Sequence, residues 1–151
     1  ALSAGGVSFN LSHSGGWAVV AIVNEGAVGV DLEVLRSGVD VEALVQRFFH
    51  PREASAILAK SGEDRREAFF RCWTSKEAYL KMLGLGLLGE INGVEVVWNK
   101  SNKQVVGIAG VSGVAFVESF VIEDGAEKMC LAYVTDLGLK GVGAIKWEPS
   151  R

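Results

Sequence analysis

Cysteine is scarce in this chain, which has only Cys72 and Cys130 among its 151 residues. Two cysteines are too few for a disulfide framework, and their spacing matches no metal-binding motif. We therefore expect a reducing, cytoplasmic setting. A strong charge of one sign is also lacking, since the formal net charge is −3. No global field would favour nucleic acid or an acidic membrane surface as a partner.

Long apolar runs are lacking too, because charged residues or glycines interrupt each hydrophobic stretch. None of them approaches the roughly 20 residues that a membrane-spanning helix needs. The start of the chain, Ala1 to Val7, has neither the basic residues nor the apolar stretch of a signal peptide. The composition, 49% hydrophobic and 22% charged, is that of a soluble globular protein with one sizeable core.

The clearest pattern that is present predicts a long helix from about Arg65 to Leu83. Phe69, Trp73 and Leu80 recur at helical spacing and form an apolar stripe. Gly84 follows the last helical residues, as expected of a left-handed C-terminal stop.

Two acidic patterns accompany this helix. Glu77 lies four residues before Lys81. On the helix alone, an ordinary surface ion pair would explain this spacing. Asp31 and Glu33 lie two residues apart in a predicted strand, so both should project from one face or form a solvated strand end. If helix and strand dock, the three carboxylates offer hard oxygen ligands. Such a set favours magnesium or manganese over zinc, and a substrate that carries phosphate.

A basic set of His13, Lys76 and Lys81 could bind phosphate oxygens beyond the reach of the metal. His13 alone is more typical of a structural loop histidine, and its serine neighbours are no evidence of a hydrolase. The run from Gly84 to Gly89 matches the dinucleotide pattern GxGxxG. We reject that interpretation because the pattern needs a strand before it and a helix after it, and here the order is reversed.

The remaining elements predict one α+β domain over residues 1–137, with a small antiparallel sheet packed against about three helices, and a glycine-rich tail over 138–151. Asp40 is expected to cap the first helix, Pro51 to open the second, Gly62 to close it and Asp64 to cap the long helix. The two further predicted helices are Val41–Phe49 and Arg52–Lys60.

The predicted strands are Val7–Ser12, Trp17–Val23, Ala27–Glu33, Val94–Trp98, Gln104–Ile108, Ala115–Ile122 and Met129–Thr135. Two hairpins are expected, one joining Trp17–Val23 to Ala27–Glu33 and one around Glu123-Asp124-Gly125.

Three motifs in order resemble those of the 4′-phosphopantetheinyl transferases of the surfactin-synthetase-activating (Sfp) type. They are Asn10-Leu11-Ser12-His13-Ser14, Gly29-Val30-Asp31-Leu32-Glu33 and Trp73-Thr74-Ser75-Lys76-Glu77-Ala78-Tyr79-Leu80-Lys81. The glycines after the long helix also fit that family. The resemblance covers about Phe9 to Thr135, and its fold would be α+β, as the elements above predict.

The resemblance implies transfer of the phosphopantetheine arm of coenzyme A to a serine of an acyl or peptidyl carrier protein, with adenosine 3′,5′-bisphosphate as the other product. Asp31, Glu33 and Glu77 match the family's magnesium-binding acids. Ser12 and His13 match residues that contact coenzyme A phosphates, and Lys76 and Lys81 match lysines near the pyrophosphate. Glu77 is the candidate to take the serine proton, with Lys81 assisting.

The chain departs from the family pattern in matching only the second of two similar halves. It could be a piece of a longer enzyme, a self-associating homodimer or homotrimer, or a protein that keeps the site without turnover. We therefore retain two hypotheses. One is a magnesium-dependent transferase, and the other is a non-catalytic module that binds coenzyme A or a carrier protein.

Overall fold

The structure, a computed structural model, describes residues 2–4, 6–85, 91–98, 104–108 and 115–136. The predicted tail over 138–151 and the part of the glycine loop from 86 to 89 lie outside the described residues. The division into a domain over 1–137 and a tail therefore stays a prediction.

Within the described residues the chain forms eight strands and three α-helices. The strands are β1 (Leu2–Ala4), β2 (Val7–Ser14), β3 (Trp17–Val23), β4 (Val28–Val34), β5 (Val94–Trp98), β6 (Gln104–Ile108), β7 (Ala115–Asp124) and β8 (Glu127–Thr135). The helices are α1 (Val41–Phe48), α2 (Pro51–Leu58) and α3 (Gly62–Leu83), and a single 3-10 turn, Ile91–Gly93, precedes β5.

The strands form two antiparallel sheets. A five-stranded sheet has the order β4-β8-β7-β6-β5, and a three-stranded sheet has the order β1-β2-β3. Helix α3 packs on the five-stranded sheet, where its buried residues meet Val117, Ala132 and Val134 in one apolar core. The predicted α+β class with three helices is confirmed, although the strands divide between two sheets.

The predicted hairpin between Trp17–Val23 and Ala27–Glu33 is wrong. β3 pairs with β2 instead, through a turn at Gly15 and Gly16 that places Ser14 opposite Trp17. Gly15 adopts a φ of 59°, the left-handed value that two-residue hairpin turns require. The strand that was predicted to end at Ser12 therefore continues to Ser14. β4 pairs with β8, the strand farthest from it in sequence, because its side chains are buried in the five-stranded sheet.

Three of the predicted helix ends are confirmed, including Pro51 as the first residue of α2, and two are corrected. Asp40 caps α1 by accepting a hydrogen bond of 3.0 Å from the amide of Ala43. Gly84 ends α3 with a φ of 73°. Gly62, however, opens α3 rather than closing α2, and Asp64 lies inside the first turn of α3 rather than capping it.

The aromatic side chains at the end of α1 and in the middle of α3 form one cluster. Phe49 lies 5.4 Å from Phe69 and 6.2 Å from Trp73, measured between ring centroids, in near-parallel arrangements. Phe69 and Trp73 are one helical turn apart, as the predicted stripe required. Among the described residues, no helix combines the length and apolar character needed to cross a membrane.

Strand β4 and helix α3 approach each other closely at Gly29. A Cβ atom at this position would lie 1.9 Å from the carbonyl oxygen of Ala78 and 2.6 Å from the amide nitrogen of Met82. Both are backbone atoms of α3, so no side-chain rotation can relieve the clash. The glycine of the Gly29 to Glu33 motif therefore allows the helix backbone to lie directly on the strand, one residue from Glu77 and two from Asp31.

We expect Gly29→Ala to lower the free energy of unfolding by about 3 kcal/mol or more, since the helix must move away from the strand. Gly16→Ala is the matched control, because a Cβ there meets nothing within 4 Å, and it should change stability by roughly 0.5 kcal/mol or less. Urea unfolding of both variants gives the comparison. Equal stability of the two variants would contradict the close contact.

Candidate active site

Lys81 connects strand β4, strand β2 and helix α3 at a single point. Its ammonium nitrogen lies 2.7 Å from Oδ1 of Asp31, 2.9 Å from Oγ of Ser12 and 3.2 Å from the carbonyl oxygen of Val30. The long helix thus docks against the acidic strand, as the predicted site required. Glu77, one turn before Lys81, lies on the same part of the helix.

Asp31 and Glu77 are both deeply buried, with exposed fractions of 5% and 6%. Burial raises the pKa of Asp31, and Lys81 only partly offsets this effect. Burial above all, with the negative charges of Asp31 and Glu33, raises the pKa of Glu77 to about 7 against the opposing charge of Lys81. Three acids therefore influence one another electrostatically in a poorly solvated site that holds a single lysine.

The second oxygen of Asp31, Oδ2, is buried and has no hydrogen-bond partner among the described residues. A buried carboxylate oxygen without a partner carries a desolvation cost that a cation would relieve. No three acidic, histidine or cysteine side chains in the described ranges are already arranged around one point as metal ligands. The donor set nevertheless fits a hard divalent ion, because Asp31 is open at Oδ2 and the long side chains of Glu33 and Glu77 can rotate.

Lys76 does not lie in this cluster. Its side chain is fully buried, and its ammonium nitrogen lies 2.6 Å from Oε2 of Glu53. It also donates to the carbonyl oxygens of Ile91 and Val94, at 3.2 and 2.7 Å. With all three hydrogens so engaged in the interior, Lys76 is a structural residue in this conformation. The structure therefore does not bring Lys76 to the acids, and its contact with coenzyme A stays a prediction.

His13 is likewise not brought to the acids. Strand side chains alternate between the two faces, so Ser12 and Ser14 face β4 and are buried, while His13 is exposed on the other face. Ser12 does lie in the cluster, but its hydroxyl is engaged with Lys81 and with Oδ1 of Asp31 at 2.9 Å. Contact of either residue with coenzyme A stays a prediction.

No role was assigned from the sequence to two residues, Glu53 and Ser14, that make important contacts in the structure. Glu53 is 3% exposed and accepts hydrogen bonds from Lys76, from the amide of Val96 and from the amide of His50. The sequence signal was its place three residues after His50, which predicts a capping box but not a buried ion pair. Ser14 was quoted within a motif without a role. Its spacing of two from Ser12, equal to that of Asp31 and Glu33, was the available signal.

Fold and cluster together define an α+β domain whose site is rich in carboxylates and suited to a divalent cation. The sequence profile of the 4′-phosphopantetheinyl transferase superfamily matches residues 27–134, more than two thirds of the chain. The chain belongs to this superfamily. The matched range contains Asp31, Glu33, Glu77 and Lys81.

Individual relatives agree with this assignment. The chain is 46% identical over 82 residues to the 4′-phosphopantetheinyl transferase HetI of Nostoc sp. The aligned region covers 54% of this chain and 35% of the relative. It is 25% identical over 126 residues to Sfp of Bacillus subtilis, covering 83% of this chain and 55% of the relative. The chain thus spans between about a third and about half of the length of these curated relatives.

Solved structures support the fold. A holo-(acyl-carrier-protein) synthase from Bacillus anthracis, in complex with CoA (3′,5′-ADP), superimposes with a TM-score of 0.58 and 19% identity, over 72% of this chain and 92% of that one. The holo-[acyl-carrier-protein] synthase of Thermotoga maritima gives a TM-score of 0.53 and 23% identity, over 72% of this chain and 62% of that one.

The raised pKa of Glu77 predicts a pH effect on stability in metal-free protein. The folded pKa of about 7 exceeds the usual value of 4.5. The folded state therefore binds more protons than the unfolded state between these values, and the free energy of unfolding falls as pH rises through this window. The decrease attributable to Glu77 should approach about 3 kcal/mol. Urea unfolding from pH 4 to 8 in the presence of a chelator should show a smaller decrease for Glu77→Gln. The same decrease in both proteins would contradict the assignment.

For Lys76 we expect a loss of stability. Lys76→Met leaves the Glu53 carboxylate buried without its partner and should cost about 3–5 kcal/mol of unfolding free energy. Adding Glu53→Gln should recover part of that loss, and the exposed Lys60→Met serves as the control. Unchanged stability of Lys76→Met together with weakened coenzyme A binding would restore the earlier interpretation of this residue as a ligand.

Proposed function

We propose that this chain acts in magnesium-dependent transfer of 4′-phosphopantetheine from coenzyme A to a serine of an acyl or peptidyl carrier protein. The observation that carries the proposal is the cluster of Asp31, Glu77 and Lys81, drawn from one strand and one helix within the range shared with the superfamily. Three carboxylates beside one lysine suit a cation and a pyrophosphate better than a neutral ligand.

In the reaction, the serine oxygen of the carrier protein attacks the phosphorus that bears the pantetheine arm. A new P–O bond forms to serine, and the P–O bond to the adenosine-bearing phosphate breaks, so that adenosine 3′,5′-bisphosphate leaves. Magnesium, when bound, would supply positive charge that neutralises the phosphates of coenzyme A. Asp31, Glu33 and Glu77 are the residues that would hold it, and manganese could take its place.

Glu77 also suits the removal of the serine proton. A carboxylate with a pKa near 7 is well matched to general base catalysis at neutral pH, directly or through a water molecule. We propose Glu77 both as a metal ligand and as the base. Lys81 holds Asp31 in place and brings a positive charge to the site, and it can exchange one of its present hydrogen bonds for a phosphate oxygen.

The three-stranded sheet gives the proposal a structural context for a partner subunit or a further half of the protein. Its outer face carries Leu11, Val20 and Ile22, each more than half exposed. An exposed apolar patch of this kind is typical of an interaction surface. It lies on the N-terminal strands, where the side chains of Val7 and Phe9 are half-buried.

The direct test is to incubate the chain with coenzyme A, magnesium and an apo-carrier protein, and to weigh the carrier protein by mass spectrometry. We expect addition of one phosphopantetheine, its loss with a chelator, and at least a hundredfold slower transfer by Glu77→Gln. Glu25→Gln, an exposed acid outside the cluster, is the matched control and should transfer normally.

The alternative function is a non-catalytic module that binds coenzyme A or a carrier protein. It is supported if coenzyme A binds, no carrier protein gains mass, and Glu77→Gln leaves the affinity for coenzyme A unchanged. Sedimentation of the same samples reports whether transfer accompanies a homodimer or homotrimer.

A further inference from the structure

Strand β2 lies along the outer edge of β4 without forming a backbone ladder with it. β4 is an edge strand whose only ladder partner in the described part of the chain is β8. The amides of Val30, Leu32 and Val34 would otherwise lack partners on the open edge. They donate instead to side chains of β2: to Oδ1 of Asn10 at 2.9 Å, to Oγ of Ser12 at 3.2 Å and to Oγ of Ser14 at 3.2 Å.

The two serines make a second contact that points at the acids. Ser12 donates its hydroxyl hydrogen to Oδ1 of Asp31 at 2.9 Å, and Ser14 donates to Oε2 of Glu33 at 2.8 Å. A serine hydroxyl has one hydrogen, and here the backbone amide fixes the oxygen so that the hydrogen is directed to the carboxylate. The spacing of two on β2 therefore matches the spacing of two on β4.

Asp31 and Glu33 differ in how strongly they are held. Asp31 is fixed by Lys81 as well as by Ser12. Apart from Ser14, the partner described for the Glu33 side chain is Arg36, whose Nη2 lies 3.4 Å away at the same oxygen, Oε2. Arg36 is 68% exposed, so its contact with Glu33 is weak and screened by solvent. The orientation of Glu33 toward the cluster consequently depends on Ser14.

We propose that Ser14 is a positioning residue that orients Glu33 as a ligand for the divalent cation. This inference rests on the proposed metal site. Ser14 is buried and bridges the strand backbone and the carboxylate, so it restricts the rotation of a side chain that has three rotatable bonds. Without this hydroxyl, Glu33 keeps only the screened contact with Arg36 among its described partners, and its carboxylate is no longer held as a ligand for the cation.

The test measures binding of Mn²⁺ by electron paramagnetic resonance in the absence of substrate. Hydrogen-bonding partners of metal ligands typically contribute about 10–100-fold to metal affinity, so Ser14→Ala should raise the Kd for Mn²⁺ by about tenfold or more. Ser14→Thr keeps the hydroxyl and should stay within about threefold of the wild type. Ser8→Ala, on the same face of β2 but away from Glu33, is the matched control and should bind as the wild type does.

A second comparison separates orientation from loss of structure. In Ser14→Ala, Arg36 is the remaining described partner of the Glu33 side chain, so Ser14→Ala/Arg36→Ala should free the carboxylate and recover part of the lost Mn²⁺ affinity. If Ser14→Ala does not fold, Ser14→Cys fills a similar volume with a weak donor and should show the same tenfold loss.

The outcomes distinguish this inference from the proposed function. Wild-type affinity for Mn²⁺ in Ser14→Ala, or in Ser14→Cys if that variant is needed, overturns the role of Ser14 while the metal site stands. An absence of Mn²⁺ binding by the wild type overturns the metal site, and the role of Ser14 with it.

Discussion

The contact between Gly29 and the backbone of α3 at Ala78 sets the geometry of the whole site. A side chain at position 29 would collide with two backbone atoms of the helix, so a strand and a helix meet here at a distance that only glycine permits. Glu77 and Lys81 are one and three positions from Ala78, and Asp31 is two positions from Gly29. Close contact of the two backbones therefore brings the acids and the lysine together without any contribution from a loop.

Burial of Asp31 and Glu77 destabilises the folded protein. Asp31 and Glu77 are almost fully shielded from water, and one lysine does not neutralise two carboxylates with Glu33 nearby. Natural proteins keep such an imbalance mainly where a site needs it. Lys76, one residue before Glu77, instead forms a balanced ion pair with Glu53 in the interior. All three hydrogens of its ammonium group have partners. The two lysines of the same helix thus have opposite roles: Lys76 stabilises the fold, and Lys81 leaves the site with excess negative charge.

Local patterns in the sequence predicted the elements well. Asp40 as a cap, Gly84 as a stop and the stripe of Phe69 and Trp73 depend on neighbours in the chain, and each is confirmed. The wrong hairpin had a different cause. The pairing of β4 with β8 joins residues about a hundred positions apart, and only the burial of both strands selects it over the nearer partner.

The site was predicted in part for the same reason. The spacing of Asp31 and Glu33 and the helical position of Glu77 indicated a shared face, and the docking of Lys81 on Asp31 agrees with that expectation. The burial of Lys76 could not be predicted, because a helix pattern does not tell which lysine faces the core. The direction of a side chain on a helix with few exposed residues is decided by tertiary partners such as Glu53, which lies 23 positions earlier. The hydrogen bonds from Ser12 to Asp31 and from Ser14 to Glu33 could not be predicted, because the sequence alone does not show that β2 lies beside β4.

The central claim is that Asp31, Glu33 and Glu77 converge on one divalent cation. The most direct measurement is a crystal structure of the chain grown with Mn²⁺ and recorded at a wavelength that gives an anomalous signal from manganese. We expect an anomalous peak beside Oδ2 of Asp31, within reach of the carboxylates of Glu33 and Glu77. A manganese peak elsewhere, or none at saturating Mn²⁺, would contradict it.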